Sequence, residues 1–139
     1  MTTAQNTTTT LPTVWPCLGF RDAKATTDFL VEAFGFELTA RYTREDDPSV
    51  VEHGELRWPL GGGIMFGSAG REGGIPDRRV PGTESVYVVC DDPDALYERA
   101  VAAGAETVRG LKDEDYGSRG FTVTDPEGNH WSFGTYRGQ

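Results

Sequence analysis

The chain has 139 residues, enough for one domain with a core of its own, and its 13 basic against 22 acidic side chains give a formal charge of −9. That charge repels a phosphate backbone, so no nucleic-acid partner is expected, and no stretch nears the roughly 18 uninterrupted apolar residues of a membrane span. Two cysteines, Cys17 and Cys90, sit inside apolar runs rather than at framework spacings, which fits a reducing, cytoplasmic location.

The opening MTTAQNTTTT lacks a basic start and an apolar stretch, so it does not read as a secretory signal. Its low hydrophobicity predicts a disordered tail over 1–11. The segment 13–20, TVWPCLGF, reads as a short strand. Asp22 then stands as N-cap of a helix with Ala25, Phe29, Ala33 and Phe34 on its apolar side, and Gly35 as its stop. Strands follow near 36–43, 50–58 and 64–67, separated by turn residues at Asp46-Asp47-Pro48 and Gly61-Gly62-Gly63.

Residues 69–82, dense in Gly, Pro and charge, read as a linker between a first unit (12–68) and a second (83–137) within one structural domain. The second unit repeats the order. A strand at 84–90 precedes Asp92-Pro93, an N-cap with an N1 proline; Ala95, Leu96 and Ala100 face inward, and Gly104 ends the helix. Three strands follow near 106–109, 120–124 and 130–136, the last two joined by a turn at Asp125-Pro126-Glu127-Gly128. Asp91, Gly104 and Glu106 each fall 69 positions after Asp22, Gly35 and Glu37, which marks a degenerate internal repeat.

Two βαβββ units, the helix entry Phe20-Arg21-Asp22, the helix exit Phe34-Gly35-Phe36 and the closing DPEGNHWSF together resemble the vicinal oxygen chelate superfamily, which groups glyoxalases, bleomycin-resistance proteins and extradiol dioxygenases. The resemblance covers about residues 12–136. It implies an α+β fold in which eight strands form a curved, open, barrel-like sheet with helices outside, enclosing a concave site often completed across a homodimer. Metal-dependent members take His or Gln, Glu, His and Glu from the first, fourth, fifth and eighth strands; Trp15, Met65, Ser85 and Ser132 hold those places here. An indole, a thioether and two hydroxyls do not hold a divalent ion, so no metal and no other cofactor is expected.

Within such a fold, strand alternation directs Trp15, Cys17, Met65, Ser85, Tyr87, His130 and Ser132 inward, while Val14, Leu18, Phe20, Val86, Val88, Trp131 and Phe133 pack under the helices. That lining suits a flat or ringed ligand with a few polar groups. The loop 110–118 carries Tyr116 and can serve as a lid over the ligand or as a solvated connection. On the third strand His53, Glu55 and Arg57 share a face, where Arg57 offers Glu55 a partner; with His130 they hold the makings of a two-histidine, one-carboxylate site.

The leading expectation is a metal-free binding protein of the bleomycin-resistance type that sequesters an aromatic small molecule, and the overall acidity suits a cationic one. The alternative is an enzyme, metal-free with His130 as acid/base beside Tyr87 or Tyr116, or metal-dependent through non-standard ligands. A dimeric structural module without ligand is the third reading.

Overall fold

A computed structural model describes residues 12–74 and 78–139; the tail expected over 1–11 and part of the linker lie outside the described residues. The order is β1 (Cys17–Phe20), α1 (Ala23–Phe34), β2 (Glu37–Thr43), β3 (Val51–Arg57), β4 (Gly63–Ser68), then β5 (Ser85–Val89), α2 (Pro93–Ala102), β6 (Glu106–Asp113), β7 (Arg119–Thr124) and β8 (His130–Gly134). This is an α+β fold with two βαβββ repeats. Its eight strands are divided between two four-stranded sheets, β1-β4-β3-β2 and β5-β8-β7-β6, with no closed barrel. In each sheet the first strand pairs parallel with the fourth, as Cys17 with Met65 and Tyr87 with Ser132.

The helices start and stop where the sequence dictates. The Asp22 carboxylate accepts the Ala25 N–H at 3.1 Å, and Asp92 accepts that of Ala95 at 3.1 Å. Gly35, at φ +90°, sends its N–H back to Val31 O, a left-handed cap that only glycine adopts without strain. The true N-caps are thus 70 positions apart while the glycines remain 69 apart. Asp91, expected as the repeat partner of Asp22, instead holds Arg137 at 2.6 Å.

Three apolar assignments change. Ala25 and Ala95 are exposed, because the helices turn Thr26, Thr27 and Leu30, and Ala100, to the interior. Val14 lies before β1 begins and is 82 % exposed, so strand alternation does not extend to it. One core serves both halves: Phe34 at the end of α1 meets Trp131 (5.8 Å) and Phe133 (4.7 Å) of β8, and Trp58 donates its indole N–H to Val89 O at 2.8 Å. Full burial of such rings contributes about 1.5–3 kcal/mol each.

The second half also grips α1 at both tips. Glu127, in the β7–β8 turn, accepts the backbone N–H groups of Arg21 (2.6 Å) and Asp22 (2.9 Å) and the Thr26 hydroxyl (2.6 Å). Arg99 of α2 donates to the carbonyls of Glu32 (2.8 Å) and Val31 (3.2 Å) at the other end. Each charge has the sign that the helix dipole favours at that end. Beneath this turn, buried Asp125 accepts from the Trp131 indole (2.9 Å), the Asn129 amide (2.9 Å) and the backbone of Glu127 and Asn129. A segment expected as a simple turn is therefore a joint between the halves.

Candidate functional site

With one face of each sheet turned into a common core, the other face of each is uncovered. In the first sheet β4 alternates: Ile64 and Phe66 are buried, and Gly63, Met65 and Gly67 point the other way. The two glycines are hollows that other side chains fill. A Cβ on Gly63 would lie 2.9 Å from the Trp15 ring, and one on Gly67 would lie 2.6 Å from the Arg71 guanidinium. Met65 stands between them, with Cys17 beside it in register on β1 and Glu55 on β3.

A cavity of about 810 Å³ opens over one end of this face, lined by Cys17, Met65 and His53 together with Arg21, Arg71 and Arg79. Glu52 and Glu84 complete its charged lining, so three guanidinium groups face two carboxylates. The net charge of −9 is therefore not concentrated here. Arg79 donates to Cys17 O at 2.9 Å and lies 3.2 Å from Glu84; Arg71 donates to Ser68 O at 3.1 Å. His53 stacks on Tyr42, ring centroids 6.4 Å apart, and its Nε2 lies 2.7 Å from Glu55.

That contact corrects the expected salt link. Glu55 is held by His53, whereas Arg57 lies over the Trp15 ring at 5.8 Å. The two-histidine, one-carboxylate site does not assemble either: His130 belongs to the other sheet, and among the described residues no three His, Cys, Asp or Glu side chains lie close enough to hold an ion. The donor types at Trp15, Met65, Ser85 and Ser132 do not fit the family's metal quartet.

On the second sheet the uncovered face is largely filled. A cavity of about 200 Å³ is lined by Tyr87, Tyr116, Ser132, Thr122, Arg109 and Glu114 among others. Tyr87 donates to Tyr136 O at 2.6 Å, Tyr116 meets the Tyr136 ring edge-on at 5.6 Å, and Thr122 and Ser132 share a hydrogen bond of 2.7 Å. Burial raises the Tyr87 phenol above its ordinary pKa, with the Ser118 hydrogen bond opposing, so Tyr87 is a neutral donor rather than a base. The loop read over 110–118, as a lid or as a solvated connection, is shorter: β6 runs on to Asp113, leaving a tight connection closed by the Glu114 N–H donating to Ser118 O at 2.7 Å.

The expected site residues are thus divided. Cys17 and Met65 line the first cavity, with Trp15 farther along the same face; Tyr87, Tyr116 and Ser132 line the second. Ser85 and His130 are exposed, opposite one another in register, and line neither. The two linings share no residue. Arg21, Arg71 and Arg79 are lining residues that sequence reasoning missed, and His53, read there only as a candidate metal ligand, lines the cavity as well. The Gly-x-Met-x-Gly alternation of β4 was the available signal for the hollow, but nothing local announces which distant arginines enter it.

The description "Glyoxalase/Bleomycin resistance protein/Dioxygenase superfamily" matches residues 14–133. An uncharacterized protein of Mycobacterium bovis is 31 % identical over 128 residues, spanning 88 % of this chain and 82 % of that protein. An uncharacterized protein of Mycobacterium tuberculosis H37Rv is likewise 31 % identical, with 88 % and 74 % covered. Among solved structures, TioX from Micromonospora sp. ML1 superposes with a TM-score of 0.74 at 28 % identity, covering 89 % of this chain and 99 % of that one. A glyoxalase/bleomycin resistance protein/dioxygenase from Nocardioides gives 0.62 at 23 % identity, with 92 % and 85 % covered. Two βαβββ units, their sheet order and these matches over most of the chain place this protein in the glyoxalase/bleomycin resistance protein/dioxygenase superfamily.

Proposed function

We propose that the protein binds an aromatic small molecule, without a metal and without transforming it, in clefts that a homodimer completes. One observation carries the reading: both sheets contribute to a shared core, and the two cavities outside it share no residue, so that each offers only part of a lining. Setting the first face of one protomer against the second face of its partner encloses Met65 and Cys17 opposite Tyr87 and Ser132. The product is a mixed apolar and hydroxyl-bearing pocket of the usual kind. Without a Lewis acid, shape, stacking and charge remain as the means of action.

A second reading, catalysis, is favoured by His53, which lines the first cavity and is paired with Glu55. A carboxylate on one ring nitrogen leaves the other free to move a proton. The exposed His130 has no such partner among the described residues.

Calorimetric titration of protein free of affinity tags with a panel of aromatic compounds, with recovery and mass analysis of each, tests the proposal. Saturable binding, with one site per protomer, unchanged compound and a dimer by sedimentation, is expected. Conversion of a compound that stops in His53→Asn favours catalysis, and a stoichiometric retained metal overturns the metal-free reading.

A further inference from the structure

Beyond the cavity the uncovered face of the first sheet ends in a guanidinium that makes no ion pair among the described residues. Arg57 stands on β3, with Gly63 of β4 on one side in register and Glu37 of β2 on the other. Among the described residues its buried Nε has no hydrogen-bond partner and its guanidinium makes no ion pair. Two carboxylates are within reach along the sheet and neither takes it. Glu55 is occupied by His53, and Glu37, though opposite in register, makes no ion pair with it.

The group is nonetheless held in place. Trp15 lies across Gly63, anchored by its indole N–H to Pro12 O at 3.2 Å, and the Arg57 guanidinium sits over that ring at 5.8 Å. A cation over an indole face is attracted to the ring, and that contact occupies none of the guanidinium's N–H donors. Buried donors in folded proteins are almost always satisfied, so a braced, desolvated and partnerless Nε marks a place where an acceptor belongs. Parallel in-plane donors match a carboxylate.

Resting on the reading that this face binds an aromatic compound, we infer that the ligand is an aromatic acid, its carboxylate taken by Arg57 and its ring system extended from Trp15 over Met65 toward the cavity. The charge along the face agrees: the cavity beyond Met65 carries Arg21, Arg71 and Arg79 against Glu52 and Glu84. The preference is thus for an anion despite the acidity of the chain as a whole.

The test is calorimetric titration of the full chain with 2-naphthoate and with neutral 2-naphthalenemethanol, in the wild type, Arg57→Met and Arg57→Lys. The expected result is naphthoate binding at least about tenfold tighter than the alcohol, a loss of at least about tenfold for naphthoate in Arg57→Met with the alcohol within about twofold, and an intermediate loss in Arg57→Lys, which keeps the charge but not the fork. If Arg57→Met does not fold by circular dichroism, the Arg57→Lys loss decides, and naphthoate affinity equal to wild type there overturns the inference. Equal affinity of the wild type for the two probes overturns the inference and leaves the proposed function standing. Binding of neither probe overturns both. A shift of Arg57→Met from dimer to monomer in sedimentation, with naphthoate loss tracking it, assigns the guanidinium to the partner protomer and also overturns the inference.

Discussion

The two halves of the molecule share an order of elements and a sheet topology, yet one presents a hollow and the other a nearly filled surface. In the first, Met65 of the central strand lies half-buried between two glycines, and the space beside it stays open to about 810 Å³. In the second, Gly134 of β8 is covered by Tyr87, whose hydroxyl a Cβ there would meet at 2.8 Å, and Tyr116 and Tyr136 close over the rest, leaving about 200 Å³. A repeated architecture thus sets where a binding surface lies, and the size of the side chains crossing its central strand sets whether anything fits. The halves also differ in who supports whom: α1 is held at both tips by the second half, whereas the N-terminus of α2 is held by its own Asp92 and, through Asp94, by Arg119 of its own half.

The comparison breaks most severely at Asp125. Asp125→Ala strands the buried Trp131 indole N–H and the Asn129 amide, and a loss of about 3–5 kcal/mol is expected in urea unfolding. The equivalent turn of the first half has no such carboxylate, so Leu60→Ala, at an exposed site, should change stability by less than about 0.5 kcal/mol. Equal effects at the two turns would remove the asymmetry. Next comes Glu127→Ala, which leaves the first backbone N–H groups of α1 without their cross-half acceptor and should cost about 1–2 kcal/mol by the same measurement.

A smaller and pH-dependent effect belongs to Cys90. Burial pushes its thiol up to about 11 from 9.0, so the folded state favours the protonated form. Its contribution is complete below the pKa of an unfolded thiol and is lost as pH rises from about 9 to about 11, so Cys90→Ala should flatten that alkaline decline in melting temperature. A thiol reagent should label exposed Cys17 promptly and Cys90 only on unfolding.

The smallest effect is expected at the exposed Asp94. Its hydrogen bond from Arg119 holds the carboxyl below the usual carboxylate range. That contribution is present above the unfolded pKa and disappears as pH falls through the lowered one, so Asp94→Asn and wild type should melt slightly apart at neutral pH and together in strong acid. A gap that widened in acid would reverse this sign.

The elements were legible because their signals are local: an aspartate before a helix, a glycine after it, alternation along a strand. Val14 was misread because alternation was carried beyond the start of β1, and Ala25 and Ala95 because the helices turn Thr26, Thr27 and Leu30, and Ala100, to the interior instead. The site was less legible. Alternation keeps Cys17, Met65, Tyr87 and Ser132 out of the buried core, yet periodicity says which side of a sheet a residue faces and nothing about which other sheet that side meets. The partner of Glu55 and the acceptors around Glu127 are likewise through-space facts, one decided between residues on a single strand and the other across more than a hundred positions.

The grip of Glu127 and Arg99 on the two tips of α1 ties the second half to the first at both ends of one helix. In the proposed dimer, ligands of different size would then be accommodated by shifts of whole protomers against each other, and selectivity would be a property of the assembly rather than of one chain.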